Sequence, residues 1–247
     1  MLPELQKFIE TNIELIENAR FDELYNMDVD VPKFTEALLQ AGIDPLVNMS
    51  YIPATYLCGS NIKNFVVPSH IDRISTAAFW ECQELEKVTL PEGLMFIEDS
   101  AFSECHKLAQ INLPSTVEYI YEDAFAETAL KHVVIPDNIA KVSRHCFEEC
   151  KQLETVKLGK YCVWLGSGVF GNCKKLRYIQ LNEGLESIGE YAFKNCKKLK
   201  EIYIPSTVTK IGMHSFYDCD PDLKIICIGD SYAHKYAERN MMEYTLI

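Results

Sequence analysis

Ten cysteines are the residues of this sequence with the clearest chemical potential. Closely spaced cysteines bind zinc or form disulfides, and a thiolate of lowered pKa acts as a nucleophile. Only Cys146 and Cys150 have the spacing of zinc ligands, and no second pair accompanies them. Six of the ten recur three residues after a phenylalanine or its equivalent, which predicts buried, reduced and inert thiols. These six are Cys82, Cys105, Cys150, Cys173, Cys196 and Cys219.

Residues 166–171, with the sequence Gly-Ser-Gly-Val-Phe-Gly, match the glycine spacing of a dinucleotide-binding loop. That loop requires a strand before it and a helix after it, with the phosphates at the helix N-terminus. Gly166 instead occupies the same place in a repeat as Gly189 and Gly212. We therefore interpret these glycines as turn residues and expect no cofactor.

The six histidines are dispersed along the chain. Two of them adjoin a cysteine, in the pairs Cys105–His106 and His145–Cys146, but neighbours on an extended chain point to opposite sides. These pairs are therefore poor chelators, and we predict no metal site. No Ser/His/Asp or Cys/His set stands out either, so the sequence favours a protein without catalytic activity.

Most of these cysteines, glycines and histidines lie within a sequence repeat of about 23 residues. Five prolines mark it, with Gly159 and Asn182 at two further equivalent positions. Residues 101–120, AFSECHKLAQINLPSTVEYI, show one copy. One copy is shorter by a deletion near Thr128. The prolines are Pro68, Pro91, Pro114, Pro136 and Pro205, and the phenylalanines in phase with them are Phe79, Phe102, Phe125, Phe147, Phe170, Phe193 and Phe216.

Each copy predicts one coil of a solenoid. Val88 and Leu90 alternate as the inward residues of a strand, and Leu94 and Ile97 mark a second inward segment after the proline. The Ala-Phe pair then begins a tight turn or a short helix. A single coil cannot bury its apolar side alone, so the coils stack and bury it against one another.

The pattern resembles the BspA-type leucine-rich repeats of bacteria and some protists over residues 51–247. The resemblance implies an α/β repeat fold, a right-handed leucine-rich-repeat solenoid, with interaction or adhesion roles and no catalysis. We expect about seven repeats of 22–23 residues. A C-terminal cap from about residue 229 would place Tyr232, Ala233, Tyr236 and Ala237 inward. Residues 1–50 are predicted to form a small, acidic, helical N-terminal cap, with helices over 3–19 and 32–42.

The formal net charge is −12, and residues 1–60 carry −7 of it, from ten acidic and three basic residues. No Lys/Arg stripe is present, so neither nucleic acid nor an anionic membrane is an expected partner. The N-terminus lacks the basic flank of a signal peptide, and no apolar run approaches bilayer length. The sequence therefore predicts a cytoplasmic protein with a protein partner.

Outward positions of the coils are the candidates for binding that partner. Phe96, Tyr119 and Trp164, which we call the aromatic row, share one repeat position, with Met95 beside them. The preceding strand presents a second, variable set of outward residues, from which His132, Tyr178 and Tyr203 are candidates. Each set has an alternative interpretation that stays open. The variable set can reflect neutral drift of a solvent-exposed face, and the aromatic row can pack locally or be covered by the N-terminal helices.

The predicted function is that of an intracellular module, bacterial or bacteriophage-encoded, that binds a protein through its repeat surface. Self-association is a further option. A secreted or surface adhesin is the first alternative and would require export. The second is an enzyme with its site at the junction of the N-terminal cap and the first coils, which would require converging carboxylates or histidines there.

Overall fold

The computed structural model describes residues 35, 36, 38, 39, 46, 47 and 49–247, and shows a right-handed solenoid of parallel strands. Most of the predicted N-terminal cap, including the helix over 3–19, lies outside the described residues, so the cap remains a prediction. The described part begins to bury core residues at Leu38, Leu46 and Met49.

The described residues form short strands and one complete helix near the C-terminus. In chain order they are β1 (Tyr51–Ile52), β2 (Asn64–Val66), β3 (Arg73–Ile74), β4 (Lys87–Thr89), β5 (Phe96–Ile97), β6 (Tyr119–Ile120), β7 (His132–Val134), β8 (Lys141–Val142), β9 (Thr155–Lys157), β10 (Trp164–Leu165), β11 (Tyr178–Gln180), β12 (Ser187–Ile188), β13 (Glu201–Tyr203), β14 (Lys210–Ile211), β15 (Lys224–Cys227), α1 (Tyr232–Arg239) and β16 (Glu243–Leu246).

Each coil contributes strands to two sides of the solenoid. The first side is one parallel sheet of eight two-residue strands, in the order β1-β3-β5-β6-β8-β10-β12-β14. The second side carries strands of three or four residues, in the separate groups β2-β4, β7-β9-β11 and β13-β15-β16. On this side the middle residue of β4, β7, β9, β11 and β13 is buried, as Val156 and Ile179 are, whereas β16 is exposed along its length. The predicted alternation of inward and outward strand residues is confirmed.

The third side consists of the turns that contain the repeat phenylalanines. The sequence predicted either a tight turn or a short helix at these residues, and the structure shows a turn. Residues on either side of the ring adopt left-handed backbone, as Ser100 (φ 54°) and Glu104 (φ 59°) do around Phe102. Turns of adjacent coils are also hydrogen-bonded, with Phe102 N–H donating to the Ala124 carbonyl at 2.8 Å.

The phenylalanines form a continuous stack through the core. From Phe79 to Phe216, successive ring centroids lie 5.1–5.7 Å apart. Such pairs contribute about 0.5–1.5 kcal/mol each beyond the area they bury. The stack therefore ties every repeat coil to the next.

The C-terminal cap closes the last coil. Helix α1 begins after Ser231, whose hydroxyl accepts the N–H of His234 at 3.2 Å. Ala233 and Ala237 are buried and Tyr236 packs against the core, as predicted. The inward placement of Tyr232 was wrong, because this side chain, at the first residue of the helix, is exposed. Strand β16 then pairs in parallel with β15 and extends the second side.

Glycine at one repeat position allows the coils to approach closely. A Cβ atom built on Gly189 would lie 2.5 Å from the main-chain carbonyl carbon of Gly166 in the preceding coil. A side chain at residue 189 therefore requires main-chain displacement rather than a change of rotamer.

We expect Gly189→Ala to destabilise the fold by about 1–3 kcal/mol, because the added methyl overpacks a main-chain contact. The melting temperature followed by circular dichroism should fall by several degrees. Gly229→Ala is the matched control, since its Cβ would meet only Leu246 Cδ1, at 3.9 Å. Equal melting temperatures for the two variants would contradict the close approach.

Candidate functional site

The cysteines that recur in the repeat form a ladder of hydrogen-bond donors. The Cys105 thiol donates to the Phe79 carbonyl at 3.0 Å, and the Cys196 thiol donates to the Phe170 carbonyl at 3.3 Å. The same bond recurs at Cys150, Cys173 and Cys219. Each of these thiols satisfies a carbonyl in the turn of the preceding coil. The cysteines therefore serve the stacking of the coils.

Burial makes these thiols poor nucleophiles. It raises the pKa of Cys173 and Cys196 well above the usual value and that of Cys150 to about 11. Five of the six repeat cysteines are buried, which confirms the predicted burial. Cys219, at the end of the ladder, is half-buried.

The remaining chemical motifs also serve the fold. A Cβ on Gly166 would lie 2.6 Å from the Arg144 amide nitrogen, and Gly168 takes a left-handed φ of 64° in the turn. This confirms their interpretation as turn residues. His145 Nδ1 lies 2.5 Å from Glu148 Oε2, in the equivalent turn of the preceding coil. Within the described part of the chain, no group of three or more His, Cys, Asp or Glu side chains is arranged to hold a metal ion.

The eight-stranded side presents part of the aromatic row to solvent. Tyr119 is 50% exposed and stacks on the half-buried Phe96, with ring centroids 5.3 Å apart. The Arg73 guanidinium lies over the other side of the Phe96 ring, 4.4 Å from its centroid. Tyr121 adds a tilted ring 6.2 Å from Tyr119. We call Arg73, Phe96, Tyr119 and Tyr121 the aromatic patch.

Trp164 and Met95 do not extend this patch as a continuous strip. Trp164 lies on β10, separated from Tyr119 on β6 by β8, where Lys141 occupies the equivalent position. Trp164 is half-buried, as is Met95, which directly precedes β5. The aromatic row is therefore divided into a stacked pair and a separate tryptophan.

The other three predicted residues lie on the second side. Tyr178 is exposed on β11, whereas Tyr203 on β13 is only partly exposed, and burial raises its pKa. His132 on β7 is exposed, with Nδ1 2.8 Å from Thr155 Oγ1 on β9. The seven candidate residues therefore belong to two sides of the solenoid and do not form one site.

A further aromatic cluster lies on the turn side and was not predicted. Tyr191 and His214 stack with centroids 5.3 Å apart, and Tyr217 contacts His214 edge-on at 5.5 Å. The Lys194 ammonium lies 5.6 Å from the Tyr191 ring centroid. Tyr191 and His214 both stand two residues before a repeat phenylalanine. Comparison of that repeat position would have found the pair.

The family follows from the sequence of the repeats. A model of the BspA type leucine-rich repeat region matches six copies, over residues 50–162 and 119–238. The chain belongs to this family. Solenoids of this kind are typically non-enzymatic and act as interaction or surface modules.

One solved structure supports the same fold, and a second is similar in sequence. A leucine-rich repeat protein of T. pallidum is 26% identical, with a TM-score of 0.62, over 77% of this chain and 87% of that one. One from Eubacterium ventriosum is 22% identical, with a TM-score of 0.47, over 69% of this chain. This chain covers 62% of the Eubacterium protein, less than two thirds of its length. A search of curated proteins found no match.

In the described residues, no helical segment is both long enough and apolar enough to span a membrane bilayer.

We expect the repeat thiols to react slowly with Ellman's reagent in the native protein at pH 8. Raised pKa values leave little thiolate at that pH at five of the six repeat cysteines. The pKa of Cys82 is instead lowered, chiefly by a hydrogen bond with Cys105, and at this buried residue it is restricted access that slows the reaction. Cys58 and Cys219, both half-buried, should react first. Denatured protein should release the signal of ten thiols rapidly. Equal rates in native and denatured protein would contradict the buried ladder.

Proposed function

We propose that this chain is a non-catalytic interaction module that binds a protein partner through the aromatic patch. The patch carries the proposal because it combines stacked, partly exposed rings with a guanidinium. Aromatic residues and arginine are enriched where proteins bind one another, and lysine and glutamate are depleted there. The equivalent outward position in other coils holds Lys141, Ser187 or Lys210, so coil stacking does not require an aromatic residue there.

The side chains of the aromatic patch are also preorganised for binding. The Phe96 ring is held between Arg73 and Tyr119, and Arg73 Nη1 donates to Glu98 Oε1 at 2.7 Å. These contacts restrict the side chains before a partner arrives. A surface ordered in this way loses little conformational entropy on association.

The proposal extends to the compartment. The free thiols of the six repeat cysteines suit a reducing environment, where disulfides are rare, and this supports an intracellular module. The cysteine, glycine and histidine motifs have structural roles within the coils, which supports a function in binding rather than in catalysis.

Affinity capture from the native cell with tagged Tyr119→Ala tests the proposal. The variant should retain the partner about 30-fold less well than the wild type, since central aromatic anchors contribute about 2 kcal/mol or more. The free energy of unfolding should fall by no more than about 1 kcal/mol, as expected for an exposed aromatic pair. Titration with the purified partner gives the affinity.

Tyr217→Ala is the matched control, because Tyr217 is 56% exposed but lies on the turn side. It should retain the partner as the wild type does. Loss of binding in a parallel Tyr178→Ala variant, with Tyr119→Ala unaffected, would move the interface to the second side and contradict the proposal.

A further inference from the structure

One coil is a residue shorter than its neighbours, and the shortening lies between Thr128 and Leu130. The preceding coil has two residues between Cys105 and Leu108, and there the leucine N–H donates to the cysteine carbonyl at 2.9 Å. Leu130 and Thr128 do not form this bond. The turn that leads into β7 is therefore closed differently from the one before it.

Main-chain pairing is lost directly after the shortened turn. Strand β7 pairs with β9 at one edge, and among the described residues no strand is bonded to its other edge. The free edge of β7 lies beside segment 110–113 of the preceding coil. That segment forms an isolated β-bridge, between Gln110 and Lys87, on the side that faces away from β7. Within the described ranges, no main-chain hydrogen bond joins segment 110–113 to β7. We call this gap the seam.

The loss of main-chain pairing is smaller on the other two sides of the shortened coil. On the eight-stranded side, β6 and β8 keep one aligned pair, Ile120 with Val142, whereas the other neighbouring strands there keep two. On the turn side, Phe125 N–H again donates to the Cys146 carbonyl at 2.9 Å. A second interruption lies between β11 and β13, but there the coils keep the usual length.

A cavity of about 510 Å³ opens at the seam. Ile111 and Leu113 line it and are half-buried, whereas the equivalent Val156 and Leu158 two coils later are buried. A strand inserted between two strand edges needs main-chain partners on both sides and an apolar surface for alternate side chains. The seam provides both.

The rim of the seam is positively charged, although the chain as a whole is acidic. Lys87, Lys131 and Lys157 line the cavity and the adjoining groove, with Asp137 as the nearest carboxylate of the cavity wall. None of these three lysines forms an ion pair with any described residue. Unpaired cations beside a strand edge favour a ligand that carries carboxylates.

We propose that the seam binds an extended, acidic segment of a protein partner, which adds a β-strand between segment 110–113 and β7. The main-chain edges provide affinity, the apolar cavity selects alternate side chains, and the lysines select flanking acidic residues. This rests on the proposed function of protein binding and specifies a second contact of a different kind.

The probe is a fluorescein-labelled heptapeptide amide, Glu-Val-Thr-Val-Thr-Val-Glu, titrated with the full chain and followed by fluorescence anisotropy. We expect saturable binding, with amide hydrogen exchange slowed at Ile111 and His132. The same peptide with N-methyl groups on alternate residues cannot donate along one edge and should bind at least tenfold more weakly. Equal binding of the two peptides, or no saturable binding of the first, would overturn the proposal.

Insertion of one lysine between Thr128 and Ala129 restores the usual coil length and should close the seam. This variant should bind the probe at least tenfold more weakly, with a melting temperature at or above that of the wild type. Lys131→Glu/Lys157→Glu, at two exposed positions, should lose as much affinity, and it tests the site if the insertion does not fold. Unchanged affinity in the double variant would refute the site. Because purified protein is used, these results do not depend on which partner the aromatic patch retains.

Discussion

The alignment of each coil on the one before it is the constraint on which the rest of this structure depends. A solenoid coil makes few contacts within itself, so its stability comes largely from the interface with its neighbours. On all three sides that interface is built from main-chain hydrogen bonds between equivalent residues. Equal coil length aligns the donors and acceptors of these bonds, and it also places each side chain against its own counterpart. The stack of phenylalanines and the close approach at Gly189 both follow from this.

The same alignment explains the structural role of the repeat cysteines. A cysteine after each turn is small enough for the core, and its thiol can reach the carbonyl of the preceding phenylalanine, as Cys105 reaches Phe79. Thr128, in the shortened coil, donates instead to the carbonyl of Phe125 in its own turn, at 2.9 Å. A donor of suitable size is thus what the position requires. A row of identical thiols is therefore a consequence of stacking.

Much of the fold was predictable because the sequence period reports this alignment directly. The strand over 87–89, the buried thiols and the turn glycines each followed from a repeat position. The solvent exposure of single side chains could not be predicted from the repeat position, because it depends on neighbouring side chains in adjacent coils. Phe96 is half-buried between Arg73 and Tyr119, and no single-coil pattern shows that contact. The candidate residues were taken from two strand positions, and the structure places these positions on two sides of the solenoid, so the repeat pattern alone did not decide which side binds a partner.

The deletion near Thr128 was visible in the sequence, but its effect was not, because a period does not show which hydrogen bonds a missing residue removes. The structure shows the loss to be greatest just after the deletion, at β7, and nearly absent by the next phenylalanine turn. The stacked rings of Phe125 and Phe147, 5.4 Å apart, keep the coils together while the second side is open. Recognition can therefore arise in two ways in this fold. An outward strand position can change its side chain without affecting the core, as in the aromatic patch. A change in coil length instead exposes main chain and core together, and it is tolerated where the turn side still holds the coils in contact.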